Sequence, residues 1–79
     1  MSQITLHHPV TVDGQQIKTL TLRRPKVKDQ LAADKGAGGN ADKEVRLFAN
    51  LCEVAPKVIE ELDLADYRQI QEAYSGFLS

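Results

Sequence analysis

The sequence is short of the residues on which most enzyme chemistry is built. It has one cysteine, Cys52, and two histidines, His7 and His8, among 79 residues. A lone cysteine cannot close an internal disulfide, so the fold does not depend on an oxidising compartment. No apolar run approaches the ~18 residues that signal a membrane span. The opening stretch, Met1-Ser2-Gln3-Ile4-Thr5-Leu6-His7-His8, lacks the basic and apolar regions of a secretory signal, so the cytoplasm is the expected location. Net charge is also scarce: ten Lys and Arg against eleven Asp and Glu leave -1. That balance argues against a protein whose affinity comes from neutralising many phosphates. Seventy-nine residues make one small domain with a thin core. Such a domain has room for a binding surface and hardly any for a substrate cleft with its supporting shell.

What is present is unevenly placed. Residues 1–39 carry six basic and three acidic side chains, and residues 40–79 carry four basic and eight acidic ones. The boundary falls in the one low-complexity stretch, Lys35-Gly36-Ala37-Gly38-Gly39-Asn40. Its glycines remove side-chain packing and raise backbone entropy, which reads as a flexible joint over 36–40. Neither half could bury a core alone, so 1–79 is a single domain.

The first half reads as strands. Ile4 and Leu6 alternate with polar residues, as do Val10 and Val12. Asp13-Gly14 is a hairpin turn signal, and 16–22 resumes the alternation with Leu20 and Leu22 on one face. Ile17 is out of phase with them, as at a bulge or in a two-sided strand. His8-Pro9 is expected to break any strand through that point. Residues 1–24 therefore form an antiparallel hairpin or meander that must pack against helices to be stable. Pro25 ends it. Residues 26–35 make a short helix with Val27, Leu31 and Ala32 on one side, and 41–79 are helical. In that part Asn40 or Asp42 caps a helix to about Cys52, with Val45, Phe48, Ala49 and Cys52 as its stripe and Leu47 and Leu51 widening it. Pro56 starts a short helix carrying Val58, Ile59 and Leu62. Asp63 caps a last helix striped by Leu64, Tyr67, Ile70, Tyr74, Phe77 and Leu78. The fold class is α+β, with a small β-hairpin or meander followed by three to four short helices.

No grouping of residues carries chemistry. His7 and His8 are adjacent on a strand, point to opposite faces and have no further ligands, so no metal is expected. Cys52 lies on an apolar stripe and reads as a small hydrophobe. Glu60, Glu61, Asp63 and Asp66 straddle a helix start, where acids face the macrodipole, and read as a solvated, capping face. Gly36-Ala37-Gly38-Gly39 lacks the Lys-Ser/Thr of a phosphate loop. Arg23, Arg24, Lys26 and Lys28 form a basic cluster without the interleaved aromatics that single-stranded nucleic acid would want, since Phe48, Tyr67, Tyr74 and Phe77 all lie in the acidic half. The terminal stripe reads first as core, and its aromatics can also serve as partner hot spots.

Three stretches resemble the Mu-like, contractile-tail type of phage tail assembly chaperone. They are Leu20-Thr21-Leu22-Arg23-Arg24-Pro25-Lys26-Val27-Lys28-Asp29, the segment Asp42 to Cys52, and Pro56 to Tyr67 with its Leu62-Asp63-Leu64-Ala65-Asp66-Tyr67 element, followed by a helix ending in Phe77-Leu78. The likeness spans nearly the whole chain. It implies a non-enzymatic protein without cofactors that binds the tape measure protein and keeps this long helical chain soluble while the tail tube polymerises. It further implies residence in the host cell cytoplasm and absence from the finished virion. A longer frameshift product would recruit tail tube protein. The opposite charges of the two halves favour self-association or several copies along a client. Client contact is expected at Leu64, Tyr67, Ile70, Tyr74 and Phe77, with Arg23 and Arg24 as a charged rim. The competing class is a small phage-encoded regulatory binder, host-takeover or antitoxin-like.

Overall fold

Asp13 and Gly14 both take positive φ, 52° and 80°, and turn the chain in two residues. That is the turn whose twist matches paired antiparallel strands, and glycine enters it without a steric penalty. On either side lie β1 (Ser2–Val12) and β2 (Gln15–Leu22), which form a two-stranded antiparallel sheet. The computed structural model describes residues 2–79 and continues with α1 (Val27–Asp34), α2 (Asn40–Cys52), α3 (Pro56–Glu60) and α4 (Leu64–Phe77). The expected hairpin-then-helices α+β arrangement is the one observed.

His8-Pro9 does not break β1, contrary to expectation. Pairing runs from Ser2 opposite Leu22 to Thr5 opposite Thr19, then resumes at Val10 opposite Ile17. Leu6 to Pro9 thus bulge out against Lys18 alone, and the proline sits where no ladder donor is needed. The phase slip at Ile17 is the trace of this bulge, but the extra residues belong to the partner strand. Ile4, Leu6, Val12, Leu20 and Leu22 bury one face of the sheet.

The helices begin and end where local chemistry dictates. At α2 the cap is Gly39, not Asn40 or Asp42 themselves; Asp42 reaches back from the first turn to accept the Gly39 N–H at 3.1 Å. Glu53 then takes a left-handed conformation, φ 57°, and the Val54 N–H closes onto the Ala49 carbonyl. Pro56 opens α3 at the position where its missing N–H costs nothing. The Asp63 carboxylate caps α4 by accepting the Ala65 N–H at 2.9 Å.

The glycine-rich stretch is a turn closed over by α2. The Arg46 guanidinium donates twice to the Ala33 carbonyl at 3.2 Å. A Cβ at Gly36 would stand 2.5 Å from that guanidinium, so a larger residue there would push the Arg46 side chain aside.

The core is one cluster. Leu47, Phe48, Ala49, Leu51 and Cys52 of α2 meet the sheet, Val58 and Ile59 of α3, Ile70 of α4 and Ala33 of α1. Phe48 sits at its centre, with ring centroids 5.6 Å from Tyr67 and 5.5 Å from Tyr74. Such tilted and edge-on aromatic pairs add roughly 0.5–1.5 kcal/mol beyond burial.

Candidate functional site

Two carboxylates organise the surface, and each was expected to be something else or nothing in particular. Asp66 lies in the first turn of α4 and is fully buried rather than part of a solvated acidic face. Its oxygens accept the backbone N–H of His7 at 2.9 Å and of His8 at 3.0 Å. These amides are freed from the ladder by the bulge, so the carboxylate completes their hydrogen bonding. The Gln69 side chain donates to Asp66 at 2.9 Å and to the Thr5 carbonyl at 3.2 Å. Burial pushes the Asp66 carboxyl upward, but the hydrogen bonds from His7, His8 and Gln69 outweigh it and hold the group below its ordinary value. The imidazoles of His7 and His8 stay exposed. Among the described residues, no group of three His, Cys, Asp or Glu is placed to hold a metal ion.

Asp29 does the equivalent work at α1. Arg23 grips it in a bidentate ion pair, at 2.7 and 2.9 Å, and the Lys26 N–H donates to it at 2.9 Å. The Arg23 hydrogen bonds outweigh burial and lower the carboxyl to about 2. This pairing fixes the roll of the helix. Asp29 and Ala33 turn inward, and Val27, Leu31 and Ala32, expected together on one side, share the outward side. Val27 is 78% exposed and Leu31 58%.

The terminal stripe divides by function. Ile70 is sealed in the core. Tyr67 is half-buried; its ring rests on Phe48 and its hydroxyl donates to Glu44, which also accepts from Gln71 at 2.9 Å. Burial, then the Glu44 hydrogen bond, push the Tyr67 hydroxyl far above its usual range. Tyr74 and Phe77 are half-buried, Arg24 stacks its guanidinium 5.7 Å from the Phe77 ring, and Leu64 projects 64% exposed at the start of the helix. Cys52 is buried, and burial raises its thiol to about 11, which leaves it protonated at neutral pH.

Of the residues singled out in the sequence, the structure brings Tyr74, Phe77 and Arg24 to one end of the molecule. Leu64 stands apart, and Arg23 is committed to Asp29. At that end a shallow groove runs between the start of α1 and the end of α4. Pro25, Val27, Leu47, Tyr74 and Leu78 line it. A second concavity, sharing Gln30, Leu47 and Tyr74, continues it toward Asn40. Arg23, Arg24, Lys26 and Lys28 line a separate concavity together with Glu53, and it meets the groove at Lys26. Sequence periodicity grouped Val27 and Leu31 on one side and left open which way that side faces. The available signal was Asp29, a first-turn carboxylate six residues beyond Arg23 with Pro25 bending the chain between them.

No helix is long and apolar enough among the described residues to cross a membrane. A family model described as phage tail assembly chaperone proteins, E, or 41 or 14, matches residues 3–79. No curated protein and no solved structure matches the chain.

Proposed function

The chain belongs to the phage tail assembly chaperone family, and we propose that it acts by binding the tape measure protein and holding it soluble until the tail tube has formed around it. The observation that carries this reading is the match from residue 3 to residue 79, which takes in every element of the fold. A binding role also agrees with where the side chains stand. The two carboxylates held below their ordinary value, Asp29 and Asp66, are engaged by Arg23, Lys26, His7, His8 and Gln69 in holding the fold. The surface instead offers large apolar side chains at Val27, Leu31, Leu64 and Leu78. A chaperone for a long helical client needs apolar surface that helices can pack against, reversibly and without chemistry.

In this reading the protein is not an enzyme, works in the host cell cytoplasm and leaves before the virion is complete. A longer frameshift product would bring tail tube protein to the same client. Within the terminal stripe, Leu64, Tyr74 and Phe77, with Arg24 beside Phe77, are the residues that keep surface for a partner. Ile70 and the ring of Tyr67 support them from beneath, and Arg23 acts on the rim through Asp29.

Co-expression with the tape measure protein tests the function. The expected result is that the tape measure protein stays in the soluble fraction and co-elutes with a tagged copy of this chain. Precipitation of the tape measure protein at the same level with and without this chain would overturn the reading.

A further inference from the structure

The two edges of the hairpin are closed differently. At β1 the helix α4 supplies the missing partners: Asp66 accepts the His7 and His8 N–H groups, and the Gln69 side chain donates to the Thr5 carbonyl. β1 is also interrupted by its bulge, which holds Pro9. β2 has none of this. It pairs with β1 alone, and among the described residues no backbone hydrogen bond joins it to any other element. Alternate residues of an antiparallel strand point their N–H and C=O groups away from the neighbour, so about half of these groups on β2 face an open edge. Gln15, Gln16, Lys18, Thr19 and Thr21 are exposed along it. Lys18 is its one charge and it carries no proline, so it lacks most of the devices that keep an edge unpaired. A groove runs beside this edge from Val12 to Thr21, with Val54, Ala55 and Val58 on its far side. Its charges are Asp13, Lys18 and Glu53, a mixed set that selects no charged ligand. The unpaired main chain selects an extended strand.

We infer that this strand is β2 of a second copy of the chain, paired antiparallel across a two-fold axis so that the two hairpins make one continuous sheet. A free peptide would satisfy one open edge. A second copy satisfies two in a single contact, with the same groups meeting on both sides. With the buried faces of both hairpins on one side of the joint sheet, the two longest registers pair residues 15–21 or residues 16–22 with themselves. The first sets Lys18 opposite Lys18 of the second copy, like charge on like charge. The second sets Thr19 opposite Thr19 of the second copy, and threonine pairs across strands are favourable. The second is therefore the register of the dimer. The contact is small beside a standard interface of about 800 Å² per partner, so the dimer forms as concentration rises and is not permanent.

The test uses the full chain by itself and needs no client, so its failure leaves the proposed function untouched. Sedimentation velocity is followed from about 1 μM to about 1 mM, a range that brackets a weak, small interface. The wild type is expected to pass from monomer to dimer. Thr19→Lys and Thr19→Glu, at an exposed position, each set like charges opposite one another at the axis and should weaken dimerisation about fivefold. Unchanged unfolding midpoints establish that the fold is intact. An equimolar mixture of the two variants should dimerise at least as well as the wild type, a recovery that damage to the monomer could not produce. Thr19→Cys should cross-link to its own copy under mild oxidation. Thr21→Cys, displaced from the axis, and Gln3→Cys, exposed on β1, should not, and the native Cys52 is buried and does not compete. A chain that stays monomeric across the range would overturn the inference. So would a dimer indifferent to charge at Thr19, or cross-linking at Thr21 or Gln3 in preference to Thr19.

Discussion

Replacing Asp66 by Asn isolates what the bulge and the last helix gain from each other. The side chain keeps its shape, but a carboxamide has one acceptor oxygen where the carboxylate has two. With the oxygen toward His7 N–H, the new amino group faces the His8 N–H, or the reverse. One charge-assisted hydrogen bond of roughly 1.5–3 kcal/mol is lost, and one backbone donor meets another donor. His7 and His8 are exposed residues, so water relieves part of the cost. The expected destabilisation is about 2–3 kcal/mol. A chain of 79 residues has a total stability on the order of 4–12 kcal/mol. Urea unfolding followed by far-UV circular dichroism at neutral pH measures the effect. With an m-value of about 1 kcal/mol per molar, the midpoint should fall by about 2–3 M at unchanged slope. Asp66→Ala, which strands both amides, should fall further. A midpoint for Asp66→Asn within about 0.5 M of wild type would refute the reasoning, because the two amides would then be as well served by water as by the carboxylate.

The same carboxylates set the acid limit of the fold. Asp29 and Asp66 both have folded values below their unfolded ones, so their stabilisation is present above about pH 4 and is lost as pH falls through the folded value, about 2 for Asp29. Acid titration of the unfolding midpoint should therefore show a loss in that window, and Asp29→Asn should shrink it. Glu53 holds a left-handed cap as a non-glycine residue. Glu53→Gly removes a strain of roughly 1–2 kcal/mol against an entropy cost of about 0.5–1 kcal/mol, so thermal unfolding should rise by a few degrees. Gly36→Val places atoms on the Arg46 guanidinium and should break its bonds to Ala33, costing about 1–3 kcal/mol by urea unfolding. Tyr67→Phe leaves the stack on Phe48 intact and removes only the bond to Glu44. It should cost roughly 1–2 kcal/mol by the same assay.

Much of this fold was legible because its signals are local. Asp13-Gly14 specifies its own turn, Asp63 and Pro56 mark helix starts, and the stripe from Val45 to Cys52 has the helical period over about two turns. The misread features depend on partners far along the chain. His8-Pro9 looks like a strand end because proline cannot donate to a ladder. It is tolerated because Asp66, nearly sixty residues away, accepts the neighbouring amides. Asp66 itself satisfies the description of a helix-start acid, and nothing within its own helix distinguishes a solvated carboxylate from one turned toward a bulge. The roll of α1 follows the same logic. Three apolar residues share one side, but nothing local said which way it faces, and one ion pair with a buried carboxylate sets the direction on a helix of eight residues. A short helix has too little apolar area to overrule such a pair, whereas α2 has enough to set its own orientation.

The bond between the bulge and Asp66 also orders events during synthesis. The hairpin lies at the start of the chain, and its turn and register can form as soon as residues 2–22 are free. The amides of His7 and His8, however, have no protein acceptor until a residue 59 positions later has been made. At translation rates of about 5–20 residues per second, that interval is about 3–12 s. Throughout it the sheet can meet only the earlier helices, and the last helix brings both Ile70 for the core and the missing carboxylate. Completion of the fold is therefore timed by the C-terminal end of the chain. A nascent copy stalled before Asp66 would leave the His7 and His8 amides without their acceptor, however well the turn had formed.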